Sequence, residues 1–395
     1  MRVVEVLRRA IEENLVGVHQ RRLDSLWRAV VGLMRGGQLY LTGLGRALPG
    51  ATSDKHRAKA VDRLLGNKQL HREILKFYRA MATWLLTRVT TPVIAVDWTG
   101  AGPHHCELSA KLCSDGRALP LLSLVFATHD FAYAGANRQF LRELATILPK
   151  GCKPILVTDA GFGLGWFDAV AAYGWDYVGR VRGTIQLVFN GNQCNMKQLH
   201  RLAGSRAKDL GTVSLGITRT RSRRLILSQQ PHLKGRKRLS RRGKRRRATT
   251  DRMASKGARE PWVLATSLPS TARAVVKIYA LRMQIEQSFR DRKSQRTGWG
   301  MRLANTRSIE RMAVLMLIAS LAELAAQLVG RAVAKTHASR GFQTNTVRSR
   351  RVHSFVFLGV RAVRTGIETA HHALHRAASA LLATILRNAQ ICLEI

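Results

Sequence analysis

Tyr279, Arg282, Glu286 and Lys293 stand in the segment YALRMQIEQSFRDRK. A helix turns about 100° and rises about 1.5 Å per residue, so a helix over 279–293 would place the four side chains within an arc of about 60° along about 21 Å of axis. Ile278, Leu281, Ile285 and Phe289 cluster on a neighbouring face suited to a core. One carboxylate would then stand beside a core with basic and aromatic groups above and below it. That pattern suits a metal-binding acid that works on a long anionic substrate. The same residues also describe a plain solvated face: Arg282 and Glu286 are four apart, in the weaker orientation, and such a pair contributes only a few tenths of a kcal/mol.

Asp97 in VDWTG and Asp159 in VTDAGFG shift the balance toward chemistry. Each follows a short apolar run that reads as a strand ending in an acid, and ligand sites of α/β sheets gather at strand C-termini. Three carboxylates brought together cannot all stay ionised without cations. Oxygen ligands with open positions suit Mg²⁺ or Mn²⁺, and two such ions about 4 Å apart would serve an in-line phosphoryl displacement.

The elements that must position these acids follow from periodicity. Val3 to Leu15, Leu23 to Met34, His56 to Leu65 and Leu70 to Leu86 carry helical apolar spacing. Ser53 or Asp54 is the expected cap of the third of these helices, and Gly66-Asn67 its stop. From Pro92 the pattern changes to strand, two antiparallel strands, helix (136–148), strand, helix (165–173), strand (177–181), an order that resembles the RNase H-like core. IQLVF, TVSLGI and RRLILS are short β-prone pieces, followed by Lys234 to Arg247, in which ten of fourteen residues are basic. Such a run reads as a loop that orders on nucleic acid. Helices are expected over Ser308 to Val333 and Thr365 to Ile395.

Composition points to the same partner. With 66 Lys+Arg against 24 Asp+Glu and a formal charge of +42, the chain calls for a polyanion, and nucleic acid is the default. With 46% hydrophobic residues it can still bury a core. The apolar run Ala313 to Val329 contains Glu323 and Gln327, which fits a buried helix better than a membrane span. No membrane partner and no secretion signal are expected. Five scattered cysteines argue against a disulfide framework and for a reducing cytoplasm. His104, His105, Cys106 and Cys113 lack a second pair at zinc-ligand spacing.

VDWTG, VTDAGFG and the Tyr279-x₂-Arg282-x₃-Glu286-x₆-Lys293 pattern resemble the DDE transposases of bacterial insertion-sequence family four, which move by cut-and-paste. PWVLATSLP and HRAKAVDRLLGN also look like members of that family, so the resemblance covers nearly the whole chain. It implies an α/β fold: a helical DNA-binding domain (1–90), an RNase H-like catalytic core in two parts (91–182 and 263–307), a β-rich insertion with the basic loop (183–262) and a helical C-terminal region (308–395). It further implies Asp97, Asp159 and Glu286 as catalytic ligands of two Mg²⁺ or Mn²⁺ ions, with Tyr279, Arg282 and Lys293 on DNA phosphates. A hairpin intermediate would need a base turned out of the stack, with Trp262 as the stacking platform or, equally, an ordinary core residue, and Met283 as a wedge. The expected partners are duplex DNA ends and target DNA, with two protomers on paired ends, in a bacterial cytoplasm on the nucleoid. Two other classes stay open: a nuclease of the same fold without strand transfer, and a transposase-derived DNA-binding repressor.

Overall fold

The structure, a computed structural model, describes residues 1–183, 185–216, 220–229, 260–296, 298–347 and 349–390. The basic run 234–247, Arg348 and residues 391–395 lie outside the described residues. By contact density the chain divides into two compact units, Met1–Pro154 with Arg282–Gln390, and Ile155–Leu281.

The first unit begins with five helices: α1 (Arg2–Glu12), α2 (Gln20–Arg35), α3 (Leu41–Arg46), α4 (Asp54–Leu65) and α5 (Lys68–Leu85). Four match the periodic segments, and α3 is an addition. Ser53 caps α4 by accepting from the His56 amide, and Gly66 ends that helix. Three antiparallel strands follow: β1 (Val93–Ala101), β2 (His105–Leu112) and β3 (Leu119–Ala127), in the order β3-β2-β1. Asp97 lies opposite Ser109, and Ser109 opposite Ser123. Asp97 is therefore the fifth of nine residues in β1 and does not end it as its sequence suggests, because pairing with β2 carries the strand on through Trp98 to Ala101. The helix α6 (Ala134–Ile147) follows.

The second unit holds β4 (Ile155–Thr158), α7 (Leu164–Ala171) and β5 (Asp176–Val181), with β4 and β5 parallel. Asp159 directly follows β4, as expected. The β-prone pieces form β6 (Gln186–Phe189), β7 (Asn192–Asn195), β8 (Lys208–Leu215) and β9 (Arg221–Ser228), with the short helix α8 (Met196–Leu199) between β7 and β8. With β10 (Trp262–Thr266), antiparallel to both β5 and β9, they continue one sheet in the order β4-β5-β10-β9-β8-β6-β7. A Cβ on Gly179 would stand 2.2 Å from the Phe167 ring, so glycine there admits the stack of Phe167 on Tyr177 at 4.7 Å. The unit closes with α9 (Ala272–Ala280).

The helix expected over 279–293 is interrupted. α9 ends at Ala280 and α10 begins at Met283, so Tyr279 does not share one continuous helix with Arg282, Glu286 and Lys293. Leu281 and Arg282 keep right-handed helical dihedrals, but the Leu281 amide bonds Ile278 O and the Ile285 amide bonds Arg282 O, both three residues back. The C-terminal part of the first unit contains α11 (Ile309–Val333), α12 (Ala338–Gly341), α13 (Phe355–Arg364) and α14 (His371–Gln390). Residues 365–370, expected to be helical, are not. Gly366 (φ 75°) closes α13 in a Schellman motif, with Gly366 N on Val363 O at 3.2 Å and Ile367 N on Ala362 O at 2.9 Å.

α11 is the one helix among the described residues long and apolar enough to cross a membrane, and it is almost wholly buried within the protein. Its Glu323 explains how. β2 alternates Glu107, Ser109 and Lys111 on one face, yet all eight of its residues are buried. Arg292 of α10 donates to Glu107 Oε1 at 2.6 Å and to Glu323 Oε1 at 2.8 Å, while Lys111 Nζ donates to Glu323 Oε2 at 2.9 Å. Ser109 and Ser123 also donate to Glu107 Oε1, at 2.5 and 2.6 Å. Two cations and two carboxylates thus compensate one another inside the core.

Burial by itself would raise the Glu107 carboxyl, but Arg292 and Lys111 hold it below its ordinary value. A carboxyl depressed on folding contributes stability that is present above its unfolded value and is lost as pH falls through the folded one. Glu107→Gln should therefore lower the unfolding free energy by about 3–5 kcal/mol at neutral pH. It should also flatten the loss of stability on acidification. Urea melts across the acid range check both, and an unchanged midpoint would contradict the role given to the network.

Candidate active site

α10 carries Glu286 and packs against β1, which carries Asp97. Its seating is specific: Gln284 Oε1 accepts from Ser114 N at 2.7 Å and its Nε2 donates to Ser114 O at 3.0 Å, while Ser288 Oγ donates to Ala118 O at 2.9 Å. Asp291 pairs with Arg117 at 2.6 Å. Ile285 and Phe289 face the core as expected. Gln284, Ser288, Asp291 and Arg292 did not stand out in the sequence. Their signal is there, as polar residues four, seven and eight positions after Gln284 along a helix beside the apolar stripe.

Arg282 lies just before α10 and its side chain is 11% exposed. Its Nη2 meets Glu286 Oε1 at 2.7 Å and its Nη1 stands 3.8 Å from Asp97 Oδ2. One guanidinium therefore lies between two carboxylates, one from a strand and one from a helix. Asp97 is 15% exposed and Glu286 41%. Met283, the proposed wedge, is 42% exposed, and its sulfur lies 3.6 Å from Arg282 Nη2.

Lys293 donates to Thr99 Oγ1, two residues along β1 from Asp97, and lies 5.7 Å from the Phe289 ring centre. Nothing local in the sequence marks Thr99, whose partner lies 194 residues away. Burial pushes the Lys293 ammonium below its ordinary value. Arg302 and Arg292 add to the depression, while Glu107 and Asp97 oppose it.

Three of the residues singled out in the sequence belong to the second unit. Asp159 Oδ1 accepts from the Gly161 amide at 2.8 Å, and a Cβ on Gly161 would come within 3.0 Å of that oxygen. Tyr279 is buried (3% exposed) and meets Trp262 edge-on at 4.7 Å. Trp98, beside Asp97, packs on Phe126 and Phe131 and donates to Asn137 Oδ1 at 3.2 Å, which is a packing role.

Among the described residues no group of three or more His, Cys, Asp or Glu side chains is arranged to hold a metal ion. The donor chemistry of the Asp97 and Glu286 pair nevertheless fits one. Both are carboxylates, both face the Arg282 guanidinium, and oxygen ligands of this kind suit a small divalent cation.

The family described as the transposase DDE domain matches residues 90–322, more than half of the chain and inclusive of Asp97, Asp159 and Glu286. The chain belongs to that family. Among solved structures, a cryo-EM structure of a piggyBac transposase synaptic complex with hairpin DNA is similar at a TM-score of 0.40 and 10% identity. The likeness covers 97% of this chain and 82% of that one, and at this level it carries no weight for the chemistry. No curated protein matches the sequence.

Lys293 should release its proton at lower pH than the exposed lysines. NMR titration of the reductively ¹³C-methylated protein would follow this, with its signal identified by loss in Lys293→Arg. Titration together with the exposed lysines would contradict the burial assigned to it.

Proposed function

We propose that this chain is a cut-and-paste DNA transposase of the insertion-sequence family-four type. Membership of the transposase DDE domain family supports the class. The observation that carries the reading to named residues is the guanidinium of Arg282 lodged between Asp97 and Glu286.

In this reading Asp97, Asp159 and Glu286 would hold two Mg²⁺ or Mn²⁺ ions. When bound, such ions supply activation of an attacking hydroxyl and neutralisation of a leaving oxygen. The chain's own residues bind and orient the DNA. Arg282, whose planar fork can take two phosphate oxygens at once, exchanges its carboxylate partners for the phosphate beside the scissile bond. Lys293, set back against Thr99 and Phe289, adds a point charge, and Tyr279 contributes a hydroxyl. One strand is hydrolysed at each transposon end, and the freed 3′-OH attacks the opposite strand to form a hairpin. Water reopens the hairpin, and the 3′-OH then attacks target DNA. Each step is a phosphoryl transfer at one site, which is why a single set of acids serves them all.

Turning a base out of the stack costs a few kcal/mol, offset where it stacks on an aromatic ring. Met283 is exposed beside Arg282 and suits a wedge; Trp262 is the proposed platform. Two protomers on paired ends, acting on nucleoid DNA in a bacterial cytoplasm, complete the proposal.

Glu286→Ala should bind an inverted-repeat end as the wild type does, yet give no cleavage with Mg²⁺. Cleavage that survives in this variant would refute the assignment. Met283→Ala should leave the first nick intact and slow hairpin formation, read on end-labelled duplex in denaturing gels. A supercoiled-target integration assay separates transposition from simple nuclease action. A binding-only repressor would show no metal-dependent product from the wild type.

A further inference from the structure

A cleft of about 590 Å³ opens between the end of α11 and the start of α14, within the C-terminal stretch that lies outside the family-matched segment 90–322. Its lining includes Arg331, Lys335, Arg351 and Arg376 against one carboxylate, Glu368. That carboxylate is already engaged by Arg2 at 2.7 Å. Asp115 stands at the margin, 3.5 Å from Arg351. None of these residues belongs to the candidate active site.

Arg331 is the unusual member. It is only 8% exposed, its Nη2 donates weakly to Ser114 Oγ at 3.4 Å, and its buried Nε has no hydrogen-bond partner. The Nε itself is closed to solvent, but a cleft-lining guanidinium whose hydrogen bonding is limited to one hydroxyl leaves terminal N–H donors for an anion in the cleft. Two guanidiniums lie over the Phe355 ring, Arg331 at 4.4 Å and Arg351 at 3.7 Å from its centre, which brings two like charges to one aromatic side chain. Burial lowers the Arg331 guanidinium to about 10, with Arg351 and Arg387 adding to the depression against Asp115. The volume falls within the ordinary range for small-ligand sites, roughly 300–1,000 Å³. A second cleft, carrying Arg340 and Arg350, adjoins it through Ala334 and Arg351.

We propose that this cleft is a phosphate-binding site, with Arg331 and Arg351 as its inner donors and Lys335 and Arg376 as its outer ones. A tetrahedral oxyanion offers the several acceptors that a planar guanidinium and its neighbours require. The phosphate can be a unit of a polynucleotide backbone or a free ion, and the chemistry is shared. The site stands whether or not the strand-transfer reading does.

Inorganic phosphate titrated calorimetrically into the full-length protein at constant ionic strength should reveal one saturable site per chain. Lys335 and Arg376 are exposed, so K335Q/R376Q should keep the fold while weakening phosphate at least tenfold. R331Q should do the same, with an unchanged melting curve as the check on folding. R142Q/K150Q, two exposed changes outside the cleft, should leave phosphate affinity intact. A duplex oligonucleotide of arbitrary sequence then separates the sources. If backbone phosphate is the occupant, free phosphate competes with duplex, and K335Q/R376Q reduces the slope of log affinity against log salt by about 2. If free phosphate is the occupant, that variant loses phosphate but keeps its duplex affinity and slope. No saturable phosphate binding, or equal weakening in both double variants, overturns the proposal.

Discussion

Arg292 is the pivot of α10, the helix that carries Glu286. It is fully buried, and Glu107 on β2 and Glu323 on α11 carry its guanidinium above its ordinary value despite the cost of burial. Charges in a low-dielectric interior tolerate little misplacement, because displacement strips an ion of compensation worth several kcal/mol. α10 therefore cannot slide by a turn along β2 without orphaning a charge. Glu286 lies six residues before Arg292 in that helix, about 9 Å along its axis. Asp97 lies on the strand paired with β2. The network sets the spacing of those two acids from behind, without touching either.

The Arg282 and Glu286 pair shows how context changes the meaning of a local pattern. As two residues four apart it is a weak helical ion pair. With Asp97 beside the same guanidinium, it becomes part of a three-body arrangement whose net charge is negative. Lys293 adds a second cation nearby, its ammonium held below its ordinary value chiefly by burial. Two carboxylates and two cations from β1, α10 and the residue before it are thus gathered in one place.

Much of this was legible in the chain. Helices α4 and α5, the end of β4 at Asp159, and the burial of Ile285 and Phe289 follow from caps and periodicity, which are local signals. The full length of β1 was not legible, because only pairing with β2 carries it past Asp97. Nor was the interruption at Leu281–Arg282, where both residues favour helix and only the hydrogen bonds change. The polar face of β2 reads as solvent-facing, since its partners Arg292 and Glu323 come from 185 and 212 residues farther along. Long-range ionic compensation leaves no periodic trace, and so the most constraining contact in the core is the one least visible in the sequence.

The same four residues restrict how such a core can drift. Replacing any one of Glu107, Lys111, Arg292 or Glu323 by an apolar residue strands an ion, while replacing all four could cost nothing or even stabilise. Residues joined in this way are strongly non-additive. The route from an ionic to an oily core thus passes through intermediates less stable than either end. Related chains should accordingly carry the quartet whole or lack it whole, so that co-variation among these positions, and not the identity of any single one, is the trace this core would leave.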